Sequence, residues 1–425
     1  MAAAVLACWA MLRPAPLTEA PALDPEAALR QQPPGAGIRS GAPGPWELAE
    51  QASAARLRVE QGLNEASPLL DGPAAEALDA RWCGQGHWQF ERELQPIDPA
   101  AASSSPTSDA PHGSDAEPGW GRRITALRTA IALRWAEQLR LRPEPLAQAL
   151  AELLVVRSDA PVAQRERAAQ ALLQLSLSAA DPAALAVALQ LPCLGPAGCQ
   201  QLDGGRWASI EPGNLHAWLW RVRSVNGRWA GDDWRAQLAG LAQARYVRSY
   251  AQHSLIQLLQ LPQTPQPGLR QQIELELMQA LFFTWTSPSY APLMNACQGR
   301  SEAAVRAACE QAAEQLWASD NMLEQGMALG LVRRMAGLER ARPWPARAEQ
   351  LEAMRQWSGE VSALQAEASQ SCTQQPAARA QLHALAQRGE AGVLHEQMRE
   401  RGIDQAAWAA RFRQQQRRGL LDPPV

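Results

Sequence analysis

Apolar residues recur at spacings of three and four from Trp120 to about residue 419, and proline, glycine and aspartate interrupt the pattern. This spacing puts the apolar side chains on one face of an α-helix. Asp181-Pro182 is typical of a helix start, because aspartate caps the first turn and proline tolerates the first helical position. We predict helices at Ile124 to Leu139, Leu146 to Leu154, Ala168 to Leu175, Ala183 to Leu191, Leu215 to Val225, Asp232 to Tyr250, Gln252 to Leu261, Leu269 to Thr284, Ser301 to Trp317, Asn321 to Ala336, Ala346 to Glu367, Ala377 to Arg388 and Gln405 to Arg418.

The connectors between these segments are short, so successive helices are expected to pack antiparallel. Apolar residues make up 46% of the chain, and alanine and leucine dominate them, whereas there are only four Phe and three Tyr. Alanine and leucine favour helices, while β-branched and aromatic residues favour sheets. The sequence therefore predicts an all-α fold of antiparallel helical hairpins, packed as an irregular α-solenoid or a helical globule over residues 120–420.

The first 45 residues differ from this domain. Residues 1–12 are uniformly apolar, but a membrane span needs about 20 residues, and no basic region precedes them as in a secretory signal. We expect a truncated signal peptide or signal anchor, with a degenerate signal or an apolar tail on a cytosolic protein as alternatives. Residues 13–45 are rich in proline and alanine and are expected to be a flexible leader.

Residues 46–95 and 96–119 lie between the leader and the helical domain. In the first segment, the spacing of apolar residues predicts an amphipathic helix from Pro45 to Ala66. Turn glycines predict a loop around Trp82 to Trp88, which contains Cys83. The second is rich in alanine, serine, proline and aspartate, with no apolar period. Such a composition cannot bury a core, so residues 96–119 are predicted to be a disordered linker.

Apart from Cys8, six cysteines are available for disulfides, and six allow fifteen pairings. Proximity favours Cys193 with Cys199 across a tight loop, and Cys297 with Cys309 across a helix–turn–helix step, which leaves Cys83 for Cys372. Six buried thiols of a cytosolic protein are the alternative. An even set of cysteines together with an apolar start favours an oxidising compartment. We expect a periplasmic protein, or one anchored in the inner membrane and facing the periplasm, with the cytoplasm as the alternative.

The segment from Trp207 to Leu219 resembles the joint between two tetratricopeptide repeats. In that family a helix ends, an acid-Pro-x-Asn turn caps the next helix, and an aromatic residue or leucine follows, as Glu211-Pro212-Gly213-Asn214-Leu215 does here. Residues 231–244 resemble the second helix of such a repeat, and the whole match covers about forty residues. The resemblance implies stacked helical hairpins. The chain also resembles exported helical proteins of proteobacteria, which implies no activity.

Composition and motifs exclude several kinds of chemistry. All 40 basic residues are Arg, so a Schiff-base lysine, a P-loop lysine and a Ser-x-x-Lys nucleophile are excluded. The net charge is −3 with both signs interspersed, which argues against nucleic acid as a partner. No Cys-x-x-Cys, His-Glu-x-x-His, Gly-x-Ser-x-Gly or dinucleotide fingerprint is present, so the sequence predicts no catalytic residue, no cofactor and no metal site.

Four titratable residues could still carry an acid–base reaction. His216 lies just inside a helix start, where a partly exposed histidine is expected. Glu274, Glu276 and Glu324 are candidate acids for a glycan-cleaving enzyme that uses a lone carboxylate. Residues two apart on a helix face different directions, so Glu274 and Glu276 cannot form a pair. We expect these acids to lie on solvated helix faces.

Tryptophan is unusually abundant, with 16 residues, and five fall within one short segment. These five are Trp207, Trp218, Trp220, Trp229 and Trp234. They fill space between alanine-rich helices or, alternatively, form a platform for a ligand. Because residues two apart cannot both occupy the centre of a buried stripe, we name Trp218 and Trp220, with Trp234, as partner-binding candidates. The sequence predicts an exported, membrane-tethered or free helical scaffold that binds a protein or peptide, with a cell-envelope glycan enzyme as the alternative.

Overall fold

The computed structural model describes residues 70–93, 119–191, 204–221, 224–225, 228–229, 234–299, 302–335, 337–368 and 372–421. Within these ranges the chain forms sixteen α-helices. They are α1 (Pro73–Glu93), α2 (Gly119–Arg140), α3 (Pro145–Arg157), α4 (Val162–Ser178), α5 (Pro182–Ala188), α6 (Gly204–Ile210), α7 (Leu215–Arg221), α8 (Trp234–Leu241), α9 (Ala251–Leu259), α10 (Leu269–Phe283), α11 (Ala291–Cys297), α12 (Ala303–Trp317), α13 (Met322–Arg334), α14 (Trp344–Ala368), α15 (Gln375–Glu400) and α16 (Gln405–Leu421). Short 3₁₀ turns occupy Leu338–Arg340 and Cys372–Gln374.

The predicted all-α fold is confirmed. The extended chain that the structure describes amounts to a two-residue antiparallel ladder, β1 (Ser224–Val225) with β2 (Arg228–Trp229), and an isolated bridge from Asn214 to Tyr246. Neighbours in sequence pack together, as α2 does with α3 and α12 with α13. Helices remote in sequence also meet, such as α1 with α10 and α9 with α15. A regular solenoid, in which each repeat contacts only the next one, does not require such contacts.

Three predictions about local structure are wrong. The helix predicted from Leu215 to Val225 ends at Arg221, and Ser224 and Val225 belong to β1. Trp82 to Trp88 is part of α1 and not a loop, because Ala75, Asp79 and Trp82 follow helical spacing and share one buried face, which offsets the cost of the glycines. The helix predicted from Asp232 to Tyr250 ends at Leu241. The chain then runs beside Gly213, whose carbonyl accepts from the amides of Arg245 and Tyr246.

The helix predicted from Ala377 to Arg388 is part of the longer α15, which continues past a kink at Gly389. Gly389 has a φ of 68°, in the left-handed region that glycine enters at little cost. A side chain here would also collide with Asp320. The kink places the second half of α15 beside the start of α13, where the Ala391 amide donates to the Asp320 carbonyl.

The core is divided among three groups of buried residues. The largest joins α2, α3, α9 and α10 around large side chains such as Trp135, Leu150 and Ile273. A second group fills the space between α11, α12, α13 and α14. A small third group, which contains Trp207, Ala217 and Tyr250, lies where α5, α6 and α7 meet the start of α9. This third group supports the candidate site described below.

A buried polar clamp ties α1 to α10 and α15. The guanidinium of Arg270 donates to the carboxylate of Asp79 at 2.7 Å, and both groups are buried. The Gln375 side chain accepts from the amide of Gly268 and donates to its carbonyl, at 2.9 and 3.0 Å. Because a buried ion pair is costly to break from one side, this clamp fixes the register of three helices.

The structure joins Cys83 to Cys372 and Cys297 to Cys309, with Cα–Cα distances of 5.4 and 5.9 Å. These are two of the three pairs that sequence proximity favours. Cys193 and Cys199 lie outside the described residues, as do residues 1–69 with the predicted helix from Pro45 to Ala66, and residues 94–118 of the predicted linker. Two pairs at bonding distance indicate an oxidising, non-cytoplasmic compartment.

None of the helices in the described part of the chain combines the length and the apolar character that crossing a bilayer requires.

The two disulfides should differ in their effect on stability. Cys83 and Cys372 are 289 residues apart, and Cys297 and Cys309 are 12 apart. In the chain-entropy model a bond closing the short loop contributes about 3 kcal/mol, and one closing the long loop about twice that. We expect Cys83→Ala with Cys372→Ala to lower the free energy of unfolding in urea more than Cys297→Ala with Cys309→Ala does. An equal or smaller loss for the Cys83 and Cys372 substitutions would contradict the expectation that the bond closing the longer loop contributes more.

Candidate functional site

The turn between α6 and α7 is built around the buried carboxylate of Glu211. Its Oε1 accepts from the hydroxyls of Tyr246 and Tyr250, each at 2.9 Å. Its Oε2 accepts from the indole of Trp207 at 2.7 Å and from the amide of Asn214 at 3.0 Å. Four donors therefore satisfy both oxygens, as a carboxylate removed from water requires.

Asn214 connects this carboxylate to the neighbouring segments. Its side-chain oxygen accepts from the backbone amides of His216 and Arg248, at 3.1 and 3.0 Å, and its amide also donates to the Arg248 carbonyl at 2.9 Å. The helix cap that the sequence predicts at this joint is thus present, and the same side chain holds residues 246–248 against it. The relationship to tetratricopeptide repeats stays a prediction.

Tyr250 is held in an unusual backbone conformation by this arrangement. Its φ is 68°, in the left-handed region, which costs a residue other than glycine on the order of 1 kcal/mol or more. Burial, together with the charge of Glu211 and the hydrogen bond to it, raises the pKa of Tyr250. The same causes raise the pKa of Tyr246. Both phenols therefore remain protonated donors at neutral pH.

A second buried carboxylate, Glu324 of α13, lies against His216 of α7. The imidazole Nε2 is 2.6 Å from Glu324 Oε1, and the Tyr290 hydroxyl donates to the same oxygen at 3.2 Å. Ser319 donates to the other oxygen. Burial acts to raise the pKa of Glu324, but His216, Ser319 and Tyr290 lower it more, so that this pKa falls below the ordinary 4.5. Glu324 is therefore held ionised.

Two further acids lie near Glu324 at the start of α13. Glu390 accepts from the amide of Met322 at 3.2 Å, and burial, with the nearby charge of Glu324, raises the pKa of Glu390. Burial also raises the pKa of Asp320, which is close to Gln252 of α9. No group of three or more His, Cys, Asp or Glu residues in the described ranges is arranged to hold a metal ion.

The structure corrects the expectations for three of the four titratable candidates. His216 is 1% exposed and is not a surface residue, and Glu324 and Glu274 are also buried instead of solvated. Each is buried because polar partners from another segment surround it, which the spacing along one helix could not indicate. Glu274 accepts from the amide and hydroxyl of Thr264, at 3.0 and 2.9 Å, while Glu276 pairs with Arg128 at 2.5 Å. The two glutamates do face different ways, as predicted.

This arrangement leaves the candidate acids engaged by other side chains of the protein. Both oxygens of Glu211 and of Glu324 accept hydrogen bonds, and so do both oxygens of Glu274. A general acid in a glycosidase needs a carboxyl that reaches the substrate and keeps its proton at working pH. Glu324 has neither property here, since it is buried and its pKa is lowered. The geometry assigns these acids to holding helices together.

Two of the three partner-binding candidates, Trp218 and Trp220, lie on α7, directly after the turn that contains Glu211. Trp218 is half-buried, and its indole donates to the Pro212 carbonyl at 2.8 Å. Its ring packs directly on Gly240 of α8, where an added Cβ would lie 2.4 Å from the ring. Trp220 is also half-buried, and it packs on the small core group of Trp207 and Tyr250. Trp234 starts α8, and its side chain lies outside the described residues.

Sequence reasoning missed the contribution of Tyr246 and two arginines to this surface. Tyr246 is 37% exposed, and the Arg248 guanidinium lies 5.0 Å from the centre of its ring. The Arg221 guanidinium lies 5.5 Å from the Trp218 ring. We call the five residues Trp218, Trp220, Arg221, Tyr246 and Arg248 the joint surface. The concentration of arginine between residues 204 and 250 was the available signal.

Comparison with family models, with curated proteins and with solved structures returned no match for this chain.

The buried pair of His216 and Glu324 should give stability that depends on pH. Because the folded pKa of Glu324 lies below 4.5, its contribution is present above that value and is lost as pH falls through the folded pKa. We expect Glu324→Gln to lower the free energy of unfolding at pH 7 by about 3 kcal/mol. The difference from wild type should shrink as urea unfolding is repeated at decreasing pH.

Glu314→Gln is the matched control, since Glu314 is an exposed acid that pairs with Arg347 at 2.8 Å. It should cost less than about 1 kcal/mol at any pH. A Glu324→Gln deficit that stays constant from neutral to acid pH would show that the ionised form contributes nothing.

Proposed function

We propose that the protein is an exported helical scaffold that binds a protein or peptide partner through the joint surface. The observation that carries this proposal is the combination of half-buried Trp218 and Trp220 and exposed Arg221 on α7 with exposed Tyr246 and Arg248 in the segment that Asn214 and Glu211 hold beside α7. Tryptophan, tyrosine and arginine are the residues most enriched where protein interfaces derive their binding energy.

The contacts that hold the side chains of this surface in place favour a role in binding. Glu211 accepts a hydrogen bond from the Tyr246 hydroxyl. The Asn214 side chain bonds to both the backbone amide and the backbone carbonyl of Arg248. Trp218 is fixed by its bond to Pro212 and by contact with Gly240. Aromatic side chains already held in place lose little entropy on binding, which is an advantage for a recognition surface.

The location and the repeat character belong to the same proposal. The Cys83–Cys372 and Cys297–Cys309 pairs support export, and we place the protein in the periplasm, free or tethered to the inner membrane by its N-terminal segment. The hairpin of α6 and α7, with Asn214 as its cap, is the part that supports a tetratricopeptide-like mode of binding. Such hairpins expose one face of each helix pair to ligands.

Affinity capture from periplasmic extract tests this proposal. We expect the full chain to retain a reproducible partner, which Trp218→Ala and Trp220→Ala each weaken at least about thirtyfold, the loss typical of an interface hot spot. Affinity is then measured by titration with that partner in purified form.

Trp317→Ala is the matched control, because Trp317 is also half-buried and carries Arg347 at 5.4 Å from its ring centre, but lies on α12. It should leave affinity within about twofold of wild type. Absence of a reproducible partner, or equal losses for Trp218→Ala and Trp317→Ala, would overturn the proposal.

A further inference from the structure

The chain is weakly acidic as a whole, but the segment that carries the joint surface is basic. Residues 204–250 contain seven arginines against three acids, in a chain of net charge −3. The acids are Glu211, Asp232 and Asp233. Since Glu211 is buried and accepts four hydrogen bonds, it offers no oxygen to a neighbouring arginine at the surface.

Four of these arginines are exposed in the described part of the segment: Arg206, Arg221, Arg245 and Arg248. Among the described residues, none of the four forms an ion pair with a carboxylate. Arginines elsewhere do form such pairs, for example Arg306 with Glu310 and Arg413 with Glu352, at 2.9 and 2.5 Å. The joint surface therefore presents guanidinium groups that lack a carboxylate partner within the described ranges.

Two of these guanidinium groups lie over aromatic rings. Arg221 lies over Trp218, and Arg248 lies within 5.8 Å of both the Tyr246 and Tyr250 ring centres. A guanidinium held over a ring is positioned by the ring face. Its N–H groups lie in the guanidinium plane and remain able to donate hydrogen bonds. A planar donor of this kind matches a carboxylate, which can accept two parallel hydrogen bonds.

We propose that the partner segment recognised by the joint surface is an acidic peptide, with Asp or Glu side chains bonded to the arginines and apolar side chains against Trp218 and Trp220. This inference rests on the proposed function and specifies its partner. Charges more than about 8 Å apart are largely screened from each other at physiological salt. A short acidic peptide bound at the joint surface therefore interacts mainly with the arginines there. An extended polyanion, such as DNA or an anionic bilayer, also meets the net negative charge of the rest of the chain.

A printed array of random twelve-residue peptides tests this inference. The chain has no lysine, so an amine-reactive dye labels the N-terminal amine alone. We expect the signal from the full chain to rise with the number of Asp and Glu residues in a peptide and to fall as NaCl is increased. Peptides in which Asn and Gln replace these acids should bind about tenfold more weakly.

Two triple variants remove the same number of positive charges from different places. The test variant combines Arg221→Gln, Arg245→Gln and Arg248→Gln, which includes both arginines of the joint surface, and should reduce the acidic-peptide signal about tenfold, at about 0.5 kcal/mol for each exposed pair. The control variant combines Arg306→Gln, Arg340→Gln and Arg399→Gln, which are all exposed. It should retain the wild-type signal to within about twofold.

Three outcomes would overturn the inference: a signal independent of acidic content, equal losses in the two triple variants, or binding to phosphatidylglycerol vesicles or single-stranded DNA in place of acidic peptides. If a captured partner still depends on Trp218 while the array shows no preference for acids, the acidic partner is wrong and the scaffold function stands. Capture that does not depend on Trp218 overturns the scaffold function instead.

Discussion

A carboxylate that is removed from water must find donors for both of its oxygens, and at the turn between α6 and α7 four side chains meet this requirement for Glu211. The donors come from the helix before the turn, from the cap after it, and from the segment that precedes α9. One acid thereby fixes three pieces of chain that are separate in sequence. Without those donors the burial of Glu211 would be unfavourable, and the position of Tyr246 would lose its support.

The same principle recurs around Glu324. All three tyrosines of the chain, Tyr246, Tyr250 and Tyr290, donate to a buried glutamate. His216 joins the two networks, because its backbone amide donates to Asn214 while its ring contacts Glu324. Alanine-rich helices have few large side chains with which to define their relative positions, and paired polar groups specify a unique arrangement that apolar contacts alone do not. The joint surface is the exposed side of this frame.

Much of the fold was predictable from the sequence, because helical spacing, Asp181-Pro182 and the scarcity of sheet-forming residues all depend on local chemistry. The ends of α8 and the continuity of α15 were not predictable, since the Gly213 carbonyl and the Asp320 carbonyl that determine them belong to remote segments. The Cys83 helix was misjudged because its two glycines suggested a turn, whereas tertiary packing of Ala75 and Trp82 overrides that preference.

Only part of the candidate site could be predicted from the sequence. The tryptophan cluster drew attention to Trp218 and Trp220, and the Asn214 cap followed from the acid-Pro-x-Asn pattern. The burial of His216, Glu274 and Glu324 could not be foreseen, because the partners of these residues come from other helices or from a preceding turn. The contribution of Arg248 required knowledge that its guanidinium lies over Tyr246.

A double-mutant cycle on Glu211 and Tyr250 tests most directly whether the saturated carboxylate organises the joint. Glu211→Gln, Tyr250→Phe and the double variant would be compared with wild type by urea unfolding at pH 7. The account predicts that the single changes are not additive, with a coupling of about 1 to 3 kcal/mol, as expected for a hydrogen bond to a charged group. Additive losses within about 0.5 kcal/mol would show that Glu211 and Tyr250 act independently, and would contradict the account.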